Sequence, residues 1–259
     1  DFNGDGIEDF LTIDKQYIIR PGYKDSLNIV LEVQNIDKEG NRKTLWSTTI
    51  YDQDYLFTVI PGDFNGDGLL DLAMLTKDDM YFTIMKAYLN DDGKLDYKTT
   101  ARLRGSTGPV LVGHFEGNRK DQFLIGNKCY SFDDELVKHT SLDIESFPEN
   151  GNFAVIDVDG DKYDDVIIYD KKKKYFAAYA INAYGTIYEL AHFSCYEGEL
   201  ENIKFGYFNN DRYADIFLYC KSGEQYKQVT YCYNGKEFVK GKVTESRSNL
   251  SFLVADFNN

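Results

Sequence analysis

Short apolar runs recur in pairs along the chain, one on each side of a small acidic cluster. Incoming runs occupy residues 56–60, 110–112, 153–156, 203–205 and 252–255, and outgoing runs occupy 10–13, 72–75, 123–125, 166–169 and 216–219. The outgoing runs are continuous rather than alternating, which predicts strands covered on both faces. Two further strands are expected behind each pair, as at 28–33 and 45–50, and at 81–89 and 95–103. Asp92-Gly93, Tyr184-Gly185 and Asn234-Gly235 stand at similar offsets in their units. Such dipeptides favour tight hairpins. The polar stretch 15–26, with Pro21-Gly22, reads as a loop insertion.

The clusters between the paired runs are copies of one another. They read DFNGDGIEDFLTI from Asp1, DFNGDGLLDLAML from Asp63, HFEGNRKDQFLI from His114, DVDGDKYDDVIIY from Asp157 and YFNNDRYADIFLY from Tyr207, with a sixth begun by DFNN at Asp256. The starts at 1, 63, 114, 157, 207 and 256 are 62, 51, 43, 50 and 49 residues apart, the insertion lengthening the first interval. A period near fifty with four strands per unit is that of a propeller blade. A β-sandwich also has many short strands but gives no reason for the period. The expected fold is therefore all-β, a β-propeller of four-stranded antiparallel blades. Residues 1–259 are expected to form a single domain with about five repeats visible, either a five-bladed ring or part of a six- or seven-bladed parent. A chain that opens and closes inside the motif reads as part of something longer.

Within the motif, oxygen-bearing side chains fall at positions one, three, five and nine in three copies. They are Asp1, Asn3, Asp5 and Asp9; Asp63, Asn65, Asp67 and Asp71; and Asp157, Asp159, Asp161 and Asp165. Calcium takes six to eight hard oxygens, and alternate residues of a curled loop point inward to supply them. The backbone carbonyl at position seven (Ile7, Leu69, Tyr163) would add one more. Gly4, Gly66 and Gly160 let the chain curl. An EF-hand or dockerin shares the first half of this spacing, but needs an acid at position twelve and flanking helices. Position twelve here is Thr12, Met74 and Ile168. The alternative without metal is that these side chains cap their own turn. Two copies depart from the pattern. His114, Glu116, Asn118 and Gln122 carry one carboxylate with Arg119 and Lys120 beside it, which predicts a metal-free loop. Asn209, Asp211 and Asp215 follow a Tyr207 that offers no inward oxygen, leaving a fourth site open.

Composition narrows the function classes. A formal charge of −14 argues against nucleic acid, which is bound through clustered Lys and Arg. No apolar run is long enough for a transmembrane helix, so no membrane insertion is expected. His114, His139 and His192 are scattered, and no nucleophile elbow or phosphate loop is present. Carboxylate chemistry remains open, since a glycosidase needs only two placed acids. Cys129, Cys195, Cys220 and Cys232 form no CxxC pair, and Cys220 and Cys232 are either partners across neighbouring strands or buried free thiols.

The strings from Asp1 and Asp63, with the approach Ile60-Pro61-Gly62, resemble FG-GAP or VCBS repeats. These are the calcium-binding blades of integrin α-subunit propellers and of many large bacterial surface and secreted proteins, including toxin-complex and Rhs-type components. The resemblance covers the whole chain as five repeats and is specific in three. It implies calcium in the loop between the first and second strands of a blade, in about three sites, where it steadies mutually repelling carboxylates. It also implies an extracellular or cell-surface protein that is not an enzyme. The expected role is a scaffold or recognition module for a protein or glycan partner, or for other domains of the parent chain. The alternative is a propeller-type polysaccharide lyase or glycoside hydrolase.

Overall fold

Strands form where the apolar runs predict them. In the computed structural model, β1 (Phe10–Ile18), β2 (Ser26–Ile36) and β3 (Arg42–Gln53) make a three-stranded antiparallel sheet in that order. The residues described are 1–19, 21–22, 26–37, 39–53, 57–78, 81–89, 95–104, 109–117, 119–126, 128–133, 135–141, 151–181 and 187–247. The turns at Asp92-Gly93 and Tyr184-Gly185, Asn118, the incoming run 252–255 and the motif at Asp256 lie outside them.

Each later repeat builds a sheet of its own. β4 (Phe57–Gly62), β5 (Asp71–Asp78), β6 (Tyr81–Leu89) and β7 (Leu95–Arg104) pair in sequence order. β8 (Val110–Gly113), β9 (Gln122–Ile125), β10 (Lys128–Asp133) and β11 (Glu135–Ser141) form the next sheet, ordered β11-β10-β9-β8. β12 (Asn152–Ile156), β13 (Asp165–Asp170), β14 (Tyr175–Ile181) and β15 (Ile187–Ser194) form the fourth. β16 (Glu199–Gly206), β17 (Asp215–Ser222), β18 (Gln225–Tyr233) and β19 (Phe238–Lys240) form the fifth, with β20 (Thr244–Ser246) also pairing β18. Strands are the only regular elements among the described residues, so no helix flanks a motif loop and the EF-hand reading is excluded. In the four complete repeats the motif loop joins the first strand of a sheet to its second, the up-and-down order of a propeller blade.

Two compact units can be distinguished. One comprises Asp1–Thr107, Lys120–Ile125 and Tyr130–Lys138, and the other Gly108–Arg119, Gly126–Cys129 and His139–Asn259. In the first, β2 alternates strictly, turning Leu27, Ile29, Leu31 and Val33 into a core shared with Phe2, Trp46 and Leu72. The second is centred on the fourth and fifth sheets, where Val158, Ile167, Phe176, Ala178, Ile216, Leu218, Val229 and Tyr231 are buried together.

Two expectations need correction. Outgoing strands β9, β13 and β17 are buried along nearly their whole length, as predicted, but β1 is exposed, with Phe10 53% and Ile13 41% accessible. The reason is that, among the described residues, β1 pairs only with β2 and has no incoming strand at its other side. The stretch 15–26 is not all loop, because β1 runs to Ile18 in register with β2, leaving the turn around Pro21-Gly22 to make the connection. The hairpin expected at Asn234-Gly235 forms. Tyr233 pairs with Phe238, and the Asn234 side chain caps a four-residue loop by accepting from the N–H groups of Lys236 and Glu237.

Candidate metal centre

The motif loop is held by its own side chains in a repeated pattern. At position one, Asp157 accepts from the N–H groups of Gly160 and Asp161 on one oxygen and of Lys162 on the other, at 2.7, 3.2 and 2.9 Å. Asp63 does the same for Gly66, Asp67 and Gly68, and Asp1 for Gly4 and Gly6. Position three accepts from the N–H of position five (Asn3, Asn65, Asp159, Asn209), and position five from that of position seven (Asp5, Asp67, Asp161, Asp211). Each side chain thus closes a turn on the backbone ahead of it, which winds the polar positions inward.

Position nine closes the loop on its beginning. One oxygen of Asp9, Asp71, Asp165 and Asp215 accepts the N–H of Phe2, Phe64, Val158 and Phe208 respectively, at 2.7, 3.2, 2.7 and 3.0 Å. The other oxygen separates the copies. Asp9 Oδ1 is buried with no hydrogen-bond partner, whereas Asp215 Oδ1 accepts the Tyr233 N–H at 3.2 Å. An acceptor shut away from water without a donor is costly, and a cation is one way to satisfy it. The Cys232 thiol is also hydrogen-bonded to Asp215, so the fifth loop satisfies its position-nine carboxylate from protein groups alone.

In the fourth loop, carboxylate oxygens of Asp157, Asp159 and Asp165 lie within 4.8 Å of one another. Such crowding disfavours charge. Burial, reinforced by Asp159, Asp161 and Asp157, pushes the Asp165 carboxyl up to about 8 against the opposing effect of the Val158 N–H. Burial likewise raises Asp159, with Asp161 next in weight. Asp161 has an oxygen on the Tyr163 N–H and stands outside the close group of three. The side chains present are oxygen donors only, with spare carboxylate capacity and an unmet need for positive charge, which fits a hard divalent cation.

Several contributors were not visible as part of the sequence motif. Asn35, the fifth inward residue of β2, is buried and donates to Asp5 Oδ2 at 3.0 Å, joining the first sheet's core to the first loop. Alternation marked it as inward-facing, and a polar residue there was the available signal. Position six also takes a left-handed conformation, at Gly6 and Gly68 but also at Lys162 (φ 77°) and Arg119 (φ 63°).

Successive loops are stapled through position eight. The N–H groups of Leu70, Asp121 and Asp164 donate to the position-one carbonyls of Asp1, Asp63 and His114 at 3.3, 2.7 and 2.8 Å. The carboxylates of Asp121 and Asp164 return the bond, accepting the N–H of Asp63 and His114, both at 2.8 Å. The glycine before the motif leaves room for these bonds and for the side chains around them. A Cβ on Gly62 would stand 2.7 Å from the Phe64 ring and 3.1 Å from an Asp121 carboxylate oxygen, and one on Gly113 2.5 Å from Val155 Cγ1 and 2.9 Å from an Asp164 carboxylate oxygen. His114 meanwhile stacks on Tyr163 at 5.6 Å, and the Tyr207 hydroxyl donates to the Asp157 carbonyl at 3.2 Å. These two position-one residues, which have no carboxylate, contact the fourth motif loop.

No curated protein sequence matches the chain. A protein of known crystal structure from Lactobacillus plantarum superposes with a TM-score of 0.54 at 9% identity, covering 92% of this chain and 68% of that one. The V. cholerae biofilm matrix protein Bap1 aligns over 92% of this chain and 37% of its own length, with a TM-score of 0.40 and 15% identity. Residues 1–74, which hold the first two motif loops, match the family model described as FG-GAP-like repeat.

Proposed function

We propose that the chain is a calcium-stabilised, non-catalytic β-propeller module, serving as a scaffold or recognition surface for a protein or glycan partner in a larger extracellular or cell-surface protein. The observation that carries the metal assignment is the convergence of Asp157, Asp159 and Asp165 oxygens within 4.8 Å. The orphaned buried oxygen of Asp9 extends it to the first loop, and the shared hydrogen-bond pattern to the second. Asp1, Asn3, Asp5, Asp9, Asp63, Asn65, Asp67, Asp71, Asp157, Asp159, Asp161 and Asp165 would hold the ions, with the carbonyls of Ile7, Leu69 and Tyr163. Bound calcium would supply the positive charge that lets these carboxylates ionise together. The fifth loop is read as metal-free, because both Asp215 oxygens take backbone N–H groups.

The links between successive loops support the scaffold reading. Each motif loop touches the next through position eight, so fixing one loop braces the neighbouring repeat. For a dissociation constant of about 0.1 mM in about 1 mM calcium, each site would add roughly 1.4 kcal/mol to stability. The test is a calorimetric calcium titration of chelator-treated protein beside thermal melts with and without chelator. Saturable heat at about three sites and a lower melting temperature in chelator are expected. Absence of both would overturn the metal assignment.

A further inference from the structure

Two of the four cysteines meet inside the second unit. Cys195 follows β15 of the fourth sheet and Cys220 lies on β17 of the fifth. Both are buried, at 4% and 0% exposure, in one cluster with Tyr169, Phe176, Val229 and Tyr231. Their thiols are hydrogen-bonded to each other. The pairing left open by sequence, Cys220 with Cys232, does not form. On the β17–β18 ladder Cys220 stands opposite Lys227 and Cys232 opposite Asp215, five residues further along.

A cavity of about 520 Å³ lies beside the pair, lined by Tyr169, Lys171, Lys174, Gly198, Glu199 and Leu200. Its walls adjoin both cysteines: the Lys174 carbonyl accepts the Cys195 N–H at 2.9 Å, and Leu200 is the cross-strand partner of Cys220. Gly198 packs so closely on the backbone of Lys221, the residue after Cys220, that a Cβ there would stand 2.3 Å from its carbonyl oxygen.

We infer that Cys195 and Cys220 are a redox-responsive pair that closes into a disulfide, covalently joining the fourth sheet to the fifth. The oxidant is a small-molecule disulfide admitted through the cavity. The Cys195 thiolate attacks one of its sulfurs, the S–S bond breaks, and one small thiol leaves with the proton that Cys195 released. Cys220 then gives up its proton and attacks the Cys195 sulfur of the mixed disulfide, expelling the second small thiol. Two cysteine thiols are oxidised by two electrons, and the small disulfide is reduced to two thiols. The order of attack follows from enclosure, since Cys195 is 4% exposed and Cys220 0%; the contact between the thiols acts in the same sense, lowering Cys195 and raising Cys220.

The experiment is peptide mapping of the full chain after incubation with oxidised glutathione, with free thiols alkylated under denaturing conditions before digestion. A linked Cys195–Cys220 peptide is expected, with Cys129 and Cys232 alkylated. Oxidation should also raise the melting temperature of the wild type by about 5–10 °C, reversibly with dithiothreitol. C195S and C220S should lose that response. Alkylation of all four cysteines, or a linkage through Cys129 or Cys232, would overturn the inference; the wild-type map decides this even if a serine variant fails to fold.

Discussion

Replacing Asp165 with asparagine removes an ionisable group from the fourth loop while keeping an oxygen to accept the Val158 N–H. In the metal-free protein the Asp165 carboxyl has its pKa pushed from 3.8 to about 8, first by burial and then by Asp159, Asp161 and Asp157. The folded state therefore holds a proton that the unfolded chain has given up, at every pH between those values. A folded pKa above the unfolded one means that stability is highest at acid pH and falls as pH rises through that window. At about 1.36 kcal/mol per unit the full penalty is about 6 kcal/mol above pH 8, of which about 4 kcal/mol develops between pH 5 and pH 8. Asp159, Asp164 and Asp215, all raised by burial, push the same way. The assay is urea unfolding in chelator at pH 5 to 8. D165N should exceed the wild type by about 2 kcal/mol already at pH 5, a gap that widens by about 4 kcal/mol towards pH 8. In about 1 mM calcium the gap should narrow by roughly 1.4 kcal/mol, since the variant would lose the ion of the fourth loop. A wild type whose stability in chelator does not change from pH 5 to pH 8 would refute the reasoning, as would a D165N protein less stable than wild type at pH 8 without metal.

Three further substitutions probe the backbone. G113A puts a Cβ 2.5 Å from Val155 Cγ1 and 2.9 Å from Asp164 Oδ2, so it should cost about 1–3 kcal/mol in urea unfolding, while G22A, with open space but φ 82°, should cost about 1 kcal/mol. K162G relieves a left-handed lysine at φ 77° and should stabilise the chelator-treated protein by up to about 1 kcal/mol, read from the same melts that follow calcium.

The period, the strand positions and the inward loop residues were legible because each depends on a local rule. The apolar stretch 28–33 placed β2, and continuous apolar runs assigned β9, β13 and β17 to covered positions. What escaped depends on partners distant in sequence. The same rule that buried β13 misjudged β1, because coverage is a property of the neighbouring strand and not of the run itself. Asp121 and Asp164 looked like ordinary surface acids, since their bonds reach 58 and 50 residues back along the chain. The contact of Cys195 with Cys220 joins two repeats and follows no spacing rule.

That distinction bears on how the repeats cooperate. Positions one, three and five bind the backbone of their own loop, so a change there is felt first by one candidate metal site. Position eight and the glycine before the motif belong to a different set of bonds, running from each loop to its predecessor. A repeat can therefore lose its carboxylates, as at His114, and still transmit order, because the His114 backbone donates to Asp164 and accepts from its N–H. Stability in such an array is a sum of repeat and interface terms. Carboxylate loss at position one can then be tolerated in copies whose interface bonds survive. The fifth copy fits this account: Tyr207 replaces the position-one acid, yet the Ala214 N–H still donates to the Val158 carbonyl, and the Tyr207 hydroxyl still reaches the Asp157 carbonyl.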